Sequence, residues 1–183
     1  MTPPVQEMNQ TMTETVPYEI TGTAGAIEFR TYPALVLATV ESAGDDPGFN
    51  LLFSYISGNN APRHTISMTA PVITATKIPM TAPVVSDAST ISFVMPPGKN
   101  LDEVPEPLDD RVRIVPVPER EVAVIRFRGT ASQEEVEAAE ARLRDGLEEA
   151  GVEPVGEAFL MRYNPPWVPG VLRRNEVGIE IRR

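Results

Sequence analysis

The chain has 183 residues, with 26 acidic and 16 basic side chains, a formal net charge of -10 and no cysteine. This length is enough for one hydrophobic core, and the acidic balance argues against a broad nucleic-acid surface, which needs clustered lysine and arginine. The absence of cysteine excludes disulfides, thiolate nucleophiles and thiolate metal ligands.

The first residues carry no export signal. Residues 1–17 are polar and rich in threonine, without the charged start and apolar run of a signal peptide, and no stretch reads as a membrane span. We therefore predict a cytoplasmic protein with a flexible N-terminal tail over residues 1–17 and a single domain over residues 18–183.

The first half of the domain begins with strands and continues into a helix. Alternating or continuous apolar residues predict three strands, at residues 18–20, 27–32 and 34–40. Asp46 and Pro47 then supply an N-cap and a first helical residue, and Gly58 ends the helix. Its apolar stripe has the spacing of one helical face and consists of Phe49, Leu52, Phe53 and Ile56.

A repeated segment follows this helix. Ser67-Met-Thr-Ala-Pro-Val72 returns almost unchanged as Pro79-Met-Thr-Ala-Pro-Val84. Proline forces the preceding residue into extended geometry, and threonine and valine favour strands, so each copy predicts a strand that leads into a bend. Two interpretations stay open: the repeat packs on the core, or it forms the floor of a groove for an apolar ligand, with Met68 and Met80 as adaptable contacts.

The second half repeats the plan of the first. A strand at 90–95 closes the first half, and the strands of the second half are predicted at 112–117, 121–127, 158–163 and 176–181. Ser132 and Glu135 have capping-box spacing and open a second helix, which Gly151 ends. Because each half contains a strand, a helix and two strands, we predict an α+β fold of two pseudo-repeats, about residues 18–98 and 110–183. Their strands would form a curved or barrel-like antiparallel sheet with two flanking helices.

Several motifs along the chain carry a family resemblance. They are Tyr32-Pro-Ala, Tyr55-Ile-Ser-Gly-Asn-Asn60, the two Met-Thr-Ala-Pro-Val copies, Phe93-Val-Met-Pro96, Tyr163-Asn-Pro-Pro-Trp167 and Arg173-Arg-Asn-Glu-Val177. With these motifs in this order, the chain resembles the SOUL haem-binding protein family from about residue 18 to its C-terminus. The resemblance implies the duplicated fold. It also implies reversible binding of haem or another tetrapyrrole, for carriage or buffering, in a hydrophobic groove beside the first helix.

The resemblance also implies which residues form the groove. A porphyrin is a flat apolar plate with propionates at one edge, so it needs apolar walls and a cationic rim. The candidate binding residues are Phe49, Leu52, Phe53, Met68, Tyr163, Trp167 and Arg173, and Arg63 and Arg174 are alternative partners for a propionate. Core packing is the competing interpretation for the helical residues, and capping of the core is the competing one for Trp167.

Iron ligation departs from the family pattern. Some family members carry a proposed axial histidine where this chain has Thr31. The only histidine is His64, after the first helix, so it is the candidate metal ligand, with a solvated surface imidazole as the competing interpretation. Further candidates are Met68, Met80, Met95 and Tyr163. Haem held mainly by hydrophobic enclosure, without a strong axial ligand, is also open.

Two other classes of function stay open. The strand-helix-strand-strand duplication also resembles the gyrase-inhibitor-like small-molecule binding fold, which implies drug binding or hydrolysis by a pocket carboxylate. Glu176 is the candidate carboxylate, and it would need a raised pKa to activate water. An ion pair with a neighbouring arginine is its competing interpretation. The proline-rich connections and acidic surface would also suit a protein-interaction module, and the oligomeric state stays open.

Overall fold

The computed structural model describes residues 14–42, 45–61, 63–75, 89–165 and 167–183. The helices are α1 (Asp45–Ile56) and α2 (Gln133–Ala150). The strands are β1 (Glu14–Thr15), β2 (Glu19–Ala24), β3 (Ile27–Tyr32), β4 (Leu35–Ser42), β5 (Asn60–Ala61), β6 (Thr69–Ala75), β7 (Ser89–Val94), β8 (Glu106–Pro107), β9 (Arg113–Val117), β10 (Arg120–Arg128), β11 (Glu153–Pro154), β12 (Phe159–Arg162) and β13 (Arg174–Arg182).

One large sheet organises the molecule. Its strands follow the order β2-β3-β10-β13-β12-β6-β7-β4-β9, and neighbours along this path are antiparallel. Strand β1 adds to β6 in parallel, and β11 adds to β13. The α+β prediction, with two helices flanking a mostly antiparallel sheet, is confirmed. The path runs from β2 to β9 without closing in the described part of the chain, so the sheet is open and not a closed barrel.

Both helices pack on the same face of this sheet. Helix α2 covers Ala123 and Ile125 of β10, while α1 covers alternate residues of β4 and β7. Residues directly opposite each other on neighbouring strands point to the same side of the sheet. Following the strand pairs from β13 through β12, β6 and β7 to β4 shows that the face covered by α2 is also the face covered by α1. The other face holds a third apolar cluster, which includes Tyr32, Leu37, Val94, Val122, Val124, Phe159 and Met161. We call this side of the sheet the helix-free face and its apolar cluster the helix-free cluster.

Local signals placed the second helix correctly. The Ser132 hydroxyl accepts a hydrogen bond from the Glu135 amide at 3.3 Å, and Glu135 accepts one from the Ser132 amide at 3.0 Å. This confirms the capping box, and Gly151 ends the helix in the left-handed conformation. Helix α1 begins at Asp45, so the predicted cap Asp46 lies inside it.

The folded part begins before the predicted boundary at residue 18. Strand β1 pairs with β6, and the Val16 side chain is buried in the helix-free cluster. Residues 14–17, predicted as the end of a flexible tail, therefore belong to the domain, and the rest of that tail lies outside the described residues. In the described ranges, no helix is long and apolar enough to cross a bilayer.

The first Met-Thr-Ala-Pro-Val copy is a central strand. Strand β6 lies between β12 and β7, and its register to β7 shifts between Thr69 and Val72. Burial of Ala70 and Ile73 there supports the core-packing interpretation of this copy. The second copy, with Met80, lies outside the described residues. Each half contains the predicted strand-helix-strand-strand order, and a duplication of one ancestral unit stays a prediction.

Candidate functional site

Helix α1 presents an aromatic pair at its surface. The rings of Phe49 and Phe53 stack with centroids 6.2 Å apart and planes 11° apart, and Phe49 and Phe93 make an edge-to-face contact with centroids 5.1 Å apart. Phe53 is 52% exposed, while Phe49 is partly buried over the core. The core therefore supports Phe49, and Phe49 supports an exposed ring that could contact a flat apolar ligand.

The other predicted wall residues near α1 have a supporting role. Leu52 is fully buried in the cluster under α1. Met68 is partly buried against the same cluster, and Met95 is buried within it. The helix turns Leu52 towards the sheet and Phe53 towards its edge, so Phe53 is the better exposed of the two, and the contact of Leu52 with a ligand stays a prediction.

The loop after α1 is held by one buried asparagine. Asn60 donates from Nδ2 to the carbonyls of Tyr55 and His64, both at 2.7 Å, and accepts from the His64 amide at 2.9 Å. The Ile66 amide donates to the Ile56 carbonyl at 2.7 Å, which returns the loop to the helix end. The backbone of His64 is thus fixed beside the end of α1, and its side chain is exposed.

The described ranges contain no group of three or more His, Cys, Asp or Glu side chains that could hold a metal ion. A haem iron needs only one or two axial ligands from the protein. His64 therefore stays the candidate ligand, with an exposed imidazole on a fixed backbone.

Tyr163 lies on the opposite face of the sheet from α1. It packs against the helix-free cluster, and its hydroxyl donates to Glu176 Oε2 at 2.9 Å. Trp167 is 83% exposed in the loop between β12 and β13, and Arg173 fixes that loop by donating from Nε to the Val168 carbonyl at 2.7 Å. The structure thus divides the predicted residues into two groups: Phe49, Leu52, Phe53 and Met68 around α1, and Tyr163, Trp167 and Arg173 around the start of β13.

Glu176 is the centre of a buried ion-pair network. Arg30 donates from Nη1 to Oε2 at 2.7 Å and from Nη2 to Oε1 at 3.1 Å. Arg174 donates to Oε1 from Nε at 3.0 Å and from Nη2 at 2.8 Å, and Arg126 donates from Nε at 3.3 Å. With the Tyr163 hydroxyl, both carboxylate oxygens have several partners, which is the arrangement that a buried charge requires.

Arg30 is also buried and has partners on its own strand and beyond. Its Nη2 donates to Glu28 Oε2 at 2.6 Å, and its Nη1 donates to the Tyr32 hydroxyl at 3.0 Å. The guanidinium carbon lies 4.1 Å from the ring centroid of Tyr18, a cation–π distance. Each part of this guanidinium is therefore paired or stacked.

These contacts determine the ionisation of the network. Burial acts to raise the pKa of Glu176, but hydrogen bonds and charges from Arg30 and then Arg174 outweigh burial and hold that pKa below its ordinary value. Burial, reinforced by the nearby Tyr32 and Glu176, raises the pKa of the Tyr163 phenol. Glu176 is thus an ionised acceptor and Tyr163 a neutral donor. A hydrolase needs a raised carboxylate pKa, so this geometry favours the ion-pair interpretation of Glu176.

Sequence reasoning missed Arg30, Arg126 and Tyr18 as members of this network. A signal was present in β3, where Glu28, Arg30 and Tyr32 are at alternate positions of the strand and therefore share one face. That pattern alone does not identify the partner strand, because Arg30 and Glu176 are separated by 146 positions in the chain.

Two cavities flank this network. The one on the helix-free face has a volume of about 20 Å³ and a largely apolar lining that includes Tyr32, Ile73, Val122, Phe159 and Met161. It is close to the size of one water molecule, whereas ligand pockets have roughly 300–1,000 Å³. The second has about 160 Å³ and is lined by Arg126, Arg128, Leu172, Arg173 and Arg174. Neither is large enough to enclose a tetrapyrrole.

Comparisons with known proteins agree on a family. Residues 13–180 match the model of the family described as SOUL heme-binding protein. Heme-binding protein 2 of Homo sapiens is 35% identical over 160 residues, which cover 84% of this chain and 77% of the human protein.

Solved structures with low sequence identity share the fold. The C-terminal domain of EcmrR superposes with a TM-score of 0.61 at 10% identity, covering 91% of this chain and 98% of that domain. A structure described as a hydrolase from Listeria innocua has a TM-score of 0.57 at 13% identity, covering 88% of this chain and 94% of the other. At these identities the likeness concerns the fold alone.

Proposed function

The chain belongs to the SOUL heme-binding protein family, and on that premise we propose that it reversibly binds haem or a related tetrapyrrole at the exposed aromatic surface of α1. We further propose that the protein serves to carry or buffer this ligand. The observation that supports this location is the half-exposed Phe53 ring stacked on Phe49, because an exposed aromatic pair offers a flat apolar surface to a flat apolar ligand.

The neighbouring loop supplies polar groups suited to the rest of the ligand. His64 is exposed on a backbone fixed by Asn60, which supports the proposal that its imidazole acts as an axial ligand. Arg63 is exposed beside it and could pair with a propionate. Haem, when bound, would supply the iron and its redox and ligand chemistry, while the chain supplies the aromatic surface, one imidazole and one cation.

A haemin titration monitored in the Soret band tests the proposal. We expect saturable binding near one equivalent, and about tenfold weaker binding in Phe53→Ala, because the variant loses the stacking ring. Ile20→Ala is a matched control, since Ile20 lies on β2 and is 51% exposed. Equal affinities of the two variants would place the ligand elsewhere.

Two further variants refine the site. His64→Ala should change the ferric spectrum if its imidazole binds iron, and an unchanged spectrum would leave haem held by hydrophobic enclosure. Trp167→Ala tests the predicted contact of the loop after β12, and an affinity equal to that of Ile20→Ala would remove Trp167 from the binding surface.

A further inference from the structure

The cavity of about 160 Å³ at the start of β13 concentrates positive charge on an acidic protein. Four of its five lining residues are arginines, and together they make up a quarter of the 16 basic side chains of a chain whose net charge is -10. The fifth lining residue, Leu172, is exposed. We call this cavity, lined by Arg126, Arg128, Leu172, Arg173 and Arg174, the arginine cavity.

The strand register leaves this charge without full compensation. Arg128 of β10 lies directly opposite Arg174 of β13, and like charges in that position are destabilising. Glu176, opposite Arg126, is already shared with Arg30 and Arg174. Arg128 makes no ion pair or hydrogen bond with another described residue, and Arg126 uses only Nε towards Glu176. Donors of Arg126 and Arg128 are therefore available in the cavity for an anion that the described residues do not supply.

Exposed apolar side chains stand in the same loop. Trp167, Val171 and Leu172 are three of the seven large apolar side chains that are exposed in the described ranges, and they fall within six consecutive positions. Tryptophan beside arginine is the combination that favours the boundary between lipid headgroups and acyl chains.

The loop holds these side chains on a fixed backbone. The Val168 amide donates to the Pro165 carbonyl at 3.1 Å, and the Arg173 amide donates to the Gly170 carbonyl at 3.0 Å. A Cβ added at Gly170 would lie 2.9 Å from Thr130 Cγ2, so the loop packs directly on the turn after β10. The exposure of Trp167 and its apolar neighbours is therefore a property of an ordered surface.

We propose that this surface binds the face of a membrane that contains anionic phospholipid. The arginine cavity receives the phosphate of a lipid headgroup, and Trp167, Val171 and Leu172 enter the boundary between headgroups and acyl chains. The proposal does not depend on haem binding at α1, because Arg126 and Arg174 share the helix-free face with Glu176, on the other side of the sheet.

The single tryptophan of the chain gives a direct test. The full chain is titrated with vesicles of phosphatidylcholine alone and with vesicles that contain phosphatidylglycerol, and Trp167 emission and co-sedimentation are measured. We expect a blue shift and co-sedimentation with the anionic vesicles, both weakened by added salt because salt screens the arginines. Vesicles of phosphatidylcholine alone should bind much more weakly.

Arg128→Glu is the decisive variant. It places a carboxylate opposite Arg174, so the fold is retained, while two units of charge change at the membrane surface. We expect about 30-fold weaker binding to anionic vesicles, at the usual contribution of an arginine near such a surface. Arg142→Glu on the exposed side of α2 makes the same change in net charge and should bind as the parent does. Arg128→Gln, with about fivefold weakening expected, checks that the loss does not depend on the new carboxylate.

Several results would overturn the proposal. They are an unshifted Trp167 emission with anionic vesicles, equal binding to neutral vesicles, or equal losses in Arg128→Glu and Arg142→Glu. Complete competition by millimolar glycerol phosphate would instead indicate a site for a small soluble phosphate. Haemin titration of Arg128→Glu should give the parent affinity, so failure of either proposal can be recognised separately.

Discussion

Glu176→Gln is expected to destabilise the protein strongly, because it removes the one carboxylate shared by three arginines. The substitution keeps the shape of the side chain but leaves the buried Arg30 with Glu28 as its one charged partner among the described residues. Breaking a buried ion pair by neutralising one partner costs about 3–5 kcal/mol. In a chain of this size each kcal/mol lowers the melting temperature by about 2–4 °C, so a loss of roughly 6–20 °C is expected.

Urea unfolding followed by circular dichroism gives the free energy of unfolding directly. Glu180→Gln is the matched control, because Glu180 lies on the same strand and pairs with Arg120 at 3.3 Å at a more exposed position. That variant should lose less than about 1 kcal/mol. If Glu176→Gln costs no more than Glu180→Gln, the argument that Glu176 holds the arginines together is refuted.

The same pair of variants predicts a pH dependence. The pKa of Glu176 is lowered from 4.5 in the folded protein, so its stabilisation is fully present above that value and is lost as the pH falls through the lowered pKa. The stability difference between the parent and Glu176→Gln should therefore shrink on acidification below pH 4.5. A difference that grows on acidification would contradict the direction of the pKa shift.

Further substitutions test the α1 region by the same unfolding assay. Leu52→Ala should lower the free energy of unfolding by about 2–5 kcal/mol because Leu52 is fully buried. Phe53→Ala should lower it by less than about 1 kcal/mol because half of its side chain is exposed. The reverse order would mean that α1 packs in another orientation. Tyr55→Phe should cost about 1 kcal/mol, since the Tyr55 hydroxyl donates to the Pro105 carbonyl at 2.6 Å. Burial raises the pKa of Tyr55 to about 12, so the parent should lose stability as the pH rises from 10 towards that value. Stability should decline less steeply in Tyr55→Phe. An equally steep decline in that variant would show that the phenol is not buried.

Local signals were enough to predict both helices and most of the longer strands, but not the two-residue strands β1, β5, β8 and β11. The capping box at Ser132 and the left-handed Gly151 depend on residues close in sequence, and both ends of α2 were placed correctly. The spacing in α1 predicted an apolar stripe, but it could not show that Leu52 faces the sheet while Phe53 lies at its edge. That distinction depends on the orientation of α1 about its axis where it packs on β4 and β7. This packing is tertiary structure, which the local spacing does not determine.

The composition of the candidate site could be predicted only in part. Tyr163 and Leu52 were assigned to one groove, yet they lie on opposite faces of the sheet, because the order of β12, β6 and β7 decides which faces coincide. The network around Glu176 could not be predicted for the same reason. Its arginines come from β3, β10 and β13, which are distant in the chain and adjacent in the sheet.

The direction of the Glu176 pKa shift separates the two small-molecule functions considered for this fold. A carboxylate that activates water must hold its pKa near the working pH, which requires burial without compensating cations. Glu176 has the burial, but Arg30 and then Arg174 hold its pKa below the ordinary value, and hydrogen bonds from these two arginines, Arg126 and Tyr163 occupy both oxygens. The apolar cavity beside it, of about 20 Å³, holds about one water molecule, so a substrate entering from that side would first have to displace packed side chains. The apolar part of the helix-free face is therefore filled by packed side chains, and this is why we propose the exposed aromatic surface of α1 as the tetrapyrrole site.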